Sequence, residues 1–87
     1  YHITPDIRIP RPQGDGAAVI ERLKAAFADR PQDHTDGVRI EFENGWVLCR
    51  QSVTEPVITL RFEAESPAGL ESLEARVMAE IAGGAGG

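Results

Sequence analysis

Apolar residues recur along the chain with two different periods, and the switches between them divide it into a strand, a helix, three strands and a last helix. Near the start, Ile3, Ile7 and Ile9 share one parity and the polar Asp6 and Arg8 take the other, which predicts a short edge strand broken at Pro5. After the breaker Arg11-Pro12-Gln13-Gly14-Asp15-Gly16, Asp15 is placed to cap a helix over residues 16–29, whose stripe is Val19, Leu23 and Phe27 with Ile20 and Ala26 beside them. Pro31 and the polar run through Gly37 predict a loop.

The next stretch alternates. Val38, Ile40 and Phe42 stand between Arg39, Glu41 and Glu43, and Asn44-Gly45 is the favoured pair for a two-residue hairpin turn. Closing that turn between Glu43 and Trp46 puts Phe42 on the side of Val47 and Ile40 on the side of Cys49, with Trp46, Leu48 and Arg50 on the other face. A third strand is expected over Val57 to Ala64, with Ile58, Leu60 and Phe62 facing one way and Thr59, Arg61 and Glu63 the other. Ser66-Pro67 is a cap followed by proline at the first helical position, and Leu70, Leu73, Val77 and Ile81 recur at helix spacing to about Ala82. Gly83 and Gly84 read as its stop, and residues 83–87 as a flexible glycine-rich tail. The pattern predicts one α+β domain over residues 1–82, a mostly antiparallel four-stranded sheet with two helices on one face.

A chain of 87 residues holds one modest core, removing only about 60% of its unfolded surface from water, so any chemistry it carries is expected to be shared with other domains. It begins at Tyr1 without an initiator methionine or a basic leader, as an excised piece of something longer would, and shows no signal peptide. Nine basic against fourteen acidic residues leave a net charge of -5, which argues against a nucleic-acid module and requires any anion site to be local. Lys24 is the one lysine among those nine; the arginine bias suits bidentate phosphate or carboxylate contacts but reads first as genomic composition. No apolar run approaches the length of a membrane span, and a single cysteine fits a soluble protein of the reducing cytoplasm.

The polar bend Arg50-Gln51-Ser52-Val53-Thr54-Glu55-Pro56 is the first site candidate. Arg50 offers a planar fork of donors, Ser52 and Thr54 offer hydroxyls, and a tight bend turns successive amides toward one oxyanion, parts that suit a phosphate. The alternative is a plain strand connection in which Ser and Thr cap their own backbone and Arg50 pairs with Glu55 or Glu63. His2 and His34 lack partners at metal-ligand spacing and read as exposed histidines. Cys49 lies on the core parity and reads as a buried thiol rather than a nucleophile. Glu41, Glu43, Glu63 and Glu65 read as a wet sheet face. Trp46 and Leu48 fall on the face away from the core, either as scattered apolar side chains or as a surface for a neighbouring domain.

These residues carry a resemblance. The chain resembles the C-terminal domain of the alpha-D-phosphohexomutases, most closely the bacterial phosphomannomutase/phosphoglucomutase group, through Ile3 to Ile9, residues 36–56, Leu60 to Ser66 and the closing helix. The family loop reads Arg, any residue, Ser, then Asn or Gly, Thr, and commonly Glu-Pro. Carried over, Arg50 grips the phosphate of the sugar that is not being transferred, Ser52 and Thr54 donate hydroxyl hydrogen bonds, and the amide at Val53 completes the cradle. Val53 departs from the family, offering neither the side-chain donor of Asn nor the freedom of Gly, and its β-branch makes positive φ costly. The resemblance implies a TBP-like fold and a lid on a cytoplasmic enzyme that interconverts hexose 1-phosphate and hexose 6-phosphate. The phosphoserine, the Mg²⁺ and the sugar-reading residues then belong to preceding domains of the same polypeptide. On this reading the domain alone is not catalytic and binds no cofactor. A phosphoglucosamine mutase domain, a vestigial binding module and a purely structural interface domain are the alternatives.

Overall fold

In a computed structural model of the chain, residues 2–4, 6–11, 16–52 and 55–86 are described. Their order is β1 (His2–Ile3), β2 (Ile7–Pro10), α1 (Gly16–Ala26), β3 (Gln32–Asp33), β4 (Val38–Phe42), β5 (Gly45–Gln51), β6 (Val57–Ala64) and α2 (Pro67–Gly86). The sheet runs β1, β6, β5, β4, β3, with β2 also on β6, and every ladder is antiparallel. The sheet is thus wider than the expected four strands. The amino-terminal stretch supplies two short strands, and Gln32–Asp33, read as loop, pairs with Ile40 and Arg39.

The alternation sorts the two faces as the parity requires. Val38, Ile40, Phe42, Val47, Cys49, Ile58, Leu60 and Phe62 are buried in one cluster with Val19, Ile20 and Leu23 of α1, Phe27 just beyond its end, and Leu73, Val77 and Ile81 of α2, so both helices cover one face. Phe62 is fully buried, and truncating it to alanine should cost about 3–5 kcal/mol. Ile3 is the exception to the parity. It pairs with Glu63, while Ile7 pairs with Leu60, so the register slips by one residue between β1 and β2. A slip of one turns a side chain to the opposite face, which is why Ile3 is 57% exposed while Ile7 and Ile9 pack on the core.

The hairpin also departs from the expected register. Phe42 faces Gly45 and Ile40 faces Val47, so Glu43 and Asn44 form the turn. The shift is by two residues, which preserves every facing. Gly37 has the one positive φ among the described residues, at 73°, so Asn44-Gly45 does not adopt the mirror-image turn. Gly45 is instead needed inside β5, where a Cβ would collide with the carbonyl of Glu63 and stand 2.9 Å from Cα of Ala64.

Helix α1 ends at Ala26, with residues 27–29 in a turn rather than in the expected last helical turn. Gln32 explains the stop: its amide donates to the carbonyls of Phe27, at 2.7 Å, and Lys24, at 3.1 Å, and so satisfies groups that a helix end leaves open. Helix α2 begins as expected, with the Ser66 hydroxyl accepting from the Gly69 amide at 3.0 Å. It does not stop at Gly83-Gly84 but continues to Gly86, so 83–86 is not an irregular tail; glycine lowers helix propensity without forbidding helical angles. The α2 end carries no basic residue of its own, and Arg22 from α1 donates to the Ile81 carbonyl at 3.2 Å.

Candidate functional site

The face away from the helices is built from cross-strand rows. One row is Arg8, Thr59 and Arg50; the next is Asp33, Arg39, Leu48 and Arg61; the third is Ile3, Glu63, Trp46 and Glu41. Basic residues therefore collect toward the end of the sheet where β5 leads into the polar bend, and acidic ones toward the hairpin.

Arg50 is the last outward-facing residue of β5 and is exposed. Its Nε lies 2.9 Å from Oδ2 of Asp36, not beside Glu55 or Glu63 as the alternative reading supposed. Gly37 permits this: at φ 73° it has no room for a Cβ, which would collide with the Cys49 carbonyl and approach Cα of Arg50 to 3.1 Å. The loop before β4 can thus lie against the strand that carries Arg50.

Ser52 follows in a half-buried position, its amide donating to the Val57 carbonyl at 2.9 Å and its hydroxyl oxygen accepting from the Glu55 amide at 3.3 Å. The capping expected of the plain connection is therefore present at Ser52. Glu55 is taken by Arg8, whose Nη2 lies 3.2 Å from both carboxylate oxygens, and the Arg11 amide donates to the Pro56 carbonyl. The bend is pinned to β2 from its far side. Gly16, the first residue of α1, abuts it from the core side, where an added Cβ would stand 3.2 Å from Cγ of Gln51. Val53 and Thr54, and the expected cap Asp15, lie outside the described residues.

The remaining candidates have other places. Burial pushes the Cys49 thiol up to about 12, so it is a neutral core side chain. His34 is exposed with Nε2 2.7 Å from Oε1 of Gln32. Among the described residues no three His, Cys, Asp or Glu side chains gather as a metal site, and no helix is long and apolar enough to cross a membrane. Trp46 is half-buried rather than bare: the Arg39 guanidinium lies 4.4 Å from its ring centroid, and its indole N–H donates to Glu63 at 2.9 Å. Glu63 thus has a specific partner that a wet face did not suggest. Sequence reading also missed Asp36, Asp6 and Arg61. Asp6 Oδ1 accepts from Nε of Arg61 at 3.1 Å, and these two residues line, with Arg50, a cleft of about 110 Å³. Outward parity marked Arg61; no signal in the sequence marked the two aspartates.

Residues 7–80 match the family profile of the phosphoglucomutase/phosphomannomutase C-terminal domain. The chain is 43% identical over 82 residues to the phosphoglucomutase of Neisseria gonorrhoeae, covering 90% of this chain and 18% of that protein. It is 40% identical over 80 residues to the phosphomannomutase/phosphoglucomutase of Pseudomonas syringae pv. tomato, covering 90% of this chain and 17% of the relative. A "Probable phosphoglucosamine mutase" of Methanopyrus kandleri is 53% identical over 45 residues, 52% of this chain and 10% of the relative. In structure, the chain is similar to a phosphoglucomutase/phosphomannomutase family protein of Burkholderia thailandensis, with TM-score 0.70 and 30% identity over 92% of this chain and 18% of that one. The chain spans under a fifth of the length of these relatives.

Proposed function

Since the chain belongs to the phosphoglucomutase/phosphomannomutase C-terminal domain family, we propose that residues 1–82 anchor the non-transferring phosphate of a hexose phosphate while a longer polypeptide interconverts its 1- and 6-phosphates. The observation that carries this reading is the setting of Arg50 in a chain of net charge -5: an exposed guanidinium whose Nε faces Asp36, two residues before the Ser52 hydroxyl. Nε is one donor of five, so the fork formed by the terminal nitrogens suits two oxygens of a phosphate. Ser52 then donates its hydroxyl, and Thr54 and the Val53 amide complete the cradle.

In this role the domain contributes position rather than bond-breaking. Holding the distal phosphate fixes the reacting end of the sugar against groups elsewhere and turns binding energy into closure of a lid. The phosphoserine and the Mg²⁺ are assigned to the greater part of the polypeptide that this chain does not span; the described residues gather no donor set for the ion. Similarity to both hexose and hexosamine phosphate mutases fits contacts to the phosphate end, with the sugar read elsewhere. Calorimetric titration with glucose 6-phosphate should give binding that Arg50→Ala abolishes, and neither chain should turn over glucose 1-phosphate. Binding unchanged in Arg50→Ala, or turnover by the chain above that variant, would contradict the proposal.

A further inference from the structure

Glu55 is out of place in a bend read as an anion site. It puts a carboxylate three residues after Ser52, between the end of β5 and the start of β6, in a chain already carrying a net charge of -5. Its backbone is held there: the amide donates to the Ser52 hydroxyl oxygen at 3.3 Å, and the carbonyl accepts from the Val57 amide at 2.8 Å. The side chain is exposed, and from this backbone a loose carboxylate can swing to within the physiological Debye length of ~8 Å of an anion held at Ser52. Salt does not screen out a repulsion at that range.

The sheet gives the carboxylate a partner on another strand. Arg8 on β2 faces Thr59 on β6, and Thr59 faces Arg50 on β5, so Arg8 and Arg50 flank β6 in one outward row. Strands on either side of a third lie about 9–10 Å apart. Nη2 of Arg8 stands 3.2 Å from both carboxylate oxygens of Glu55, which draws the charge toward β2, the strand across β6 from the one carrying Arg50. The Arg11 amide holds the next residue, through the Pro56 carbonyl, on the same side. Arg50 meets Asp36 through Nε, the donor nearest the backbone, whereas Arg8 has a terminal nitrogen on Glu55. The Arg8 and Glu55 side chains are 57% and 58% exposed, so the pair adds little to stability; its consequence is where the negative charge sits.

We propose that Arg8 is a positioning residue for anion binding at the bend: it holds the Glu55 carboxylate on the β2 side and neutralises it, so that the bend accepts a dianionic phosphate that a free Glu55 would repel. The inference rests on the phosphate-anchoring reading above and gives Arg8 no contact with the phosphate. Arg8 acts only through Glu55, and that dependence is what a double-mutant cycle measures.

The test titrates the 87-residue chain with inorganic phosphate, following amide shifts by NMR, in the original sequence and in Arg8→Gln, Arg8→Lys, Glu55→Gln, the double variant Arg8→Gln/Glu55→Gln, and Arg50→Ala. Exposed ion pairs contribute little stability, so these variants should keep the native spectrum. Arg8→Gln is expected to weaken phosphate about fivefold, the upper end of what an exposed pair supplies. Glu55→Gln should bind at least as tightly as the original, and the double variant should match Glu55→Gln, because no carboxylate is left for Arg8 to hold. Arg8→Lys should recover the affinity, since one terminal nitrogen makes the contact and an ammonium supplies the same charge. An equal loss from Arg8→Gln with and without the Glu55 carboxylate would mean that Arg8 touches the phosphate or counts only as net charge, and would overturn the proposal. A loss in Glu55→Gln as large as that in Arg8→Gln would make the pair a brace for the shape of the bend and also overturn it. If Arg50→Ala abolishes binding and Arg8→Gln changes nothing, the role of Arg8 falls while the anchoring reading stands. If Arg50→Ala changes nothing, or the original sequence does not bind phosphate, both fall.

Discussion

Asp36 places a carboxylate oxygen 2.9 Å from Nε of Arg50, joining the loop before β4 to the last outward residue of β5. The pair is exposed on both sides, and its contribution to stability is small. What brings it together is Gly37, with φ 73° and no space for a Cβ against the Cys49 carbonyl. Asp36→Ala should therefore cost less than about 1 kcal/mol in urea unfolding. Gly37→Ala should cost more than about 2 kcal/mol, since it adds backbone strain to a steric collision. Equal costs would show that the ion pair, not the glycine, seats the loop.

Cys49 gives a check on the core that needs no mutation. Its thiol is buried at 0% exposure and pushed up to about 12, so the folded protein should hold almost no thiolate at pH 8. A disulfide reagent such as dithionitrobenzoate should leave native protein untouched over minutes and titrate one thiol per chain in 8 M urea, the denaturant merely exposing it. Rapid native labelling would place Cys49 outside the core.

Acid should remove the stabilisation that Glu43 gives the hairpin end. A hydrogen bond from Arg30, at 2.7 Å, and the charge of that guanidinium hold the Glu43 carboxyl below its ordinary value near 4.5. A depressed carboxylate stabilises the fold fully above its ordinary value, and that stabilisation is lost as pH falls through the lower folded value. Thermal melts of the original sequence and of Glu43→Gln should differ most above pH 4.5 and converge below it. A difference that grows toward low pH would reverse the assignment.

Period-two parity carried most of the fold: facing along β4, β5 and β6 follows from alternation alone, because only one parity has enough apolar residues to bury. Register is a different quantity. A shift of two residues leaves every facing intact, so nothing in the alternation separates a turn at Asn44-Gly45 from the observed one at Glu43-Asn44; the decision rests on how closely Gly45 approaches β6, a contact with residues far along the chain. The slip that exposes Ile3 and the strand at Gln32–Asp33 likewise depend on partners distant in sequence. In the site, residue type and the bend itself were legible at Arg50 and Ser52. Their neighbours were not, because Asp36 and Asp6 reach Arg50 and Arg61 only once the sheet is assembled.

On the proposed function, the bend after β5 binds the phosphate of a sugar phosphate through Arg50. The most direct measurement is the map of ¹⁵N–¹H shift changes when the chain is titrated with glucose 6-phosphate, compared with unphosphorylated glucose. The largest changes are expected at residues 50–55 and at the Gly16 end of α1, saturating with glucose 6-phosphate, absent with glucose and absent in Arg50→Ala. Saturable changes centred elsewhere, or at the bend but retained in Arg50→Ala, would contradict it.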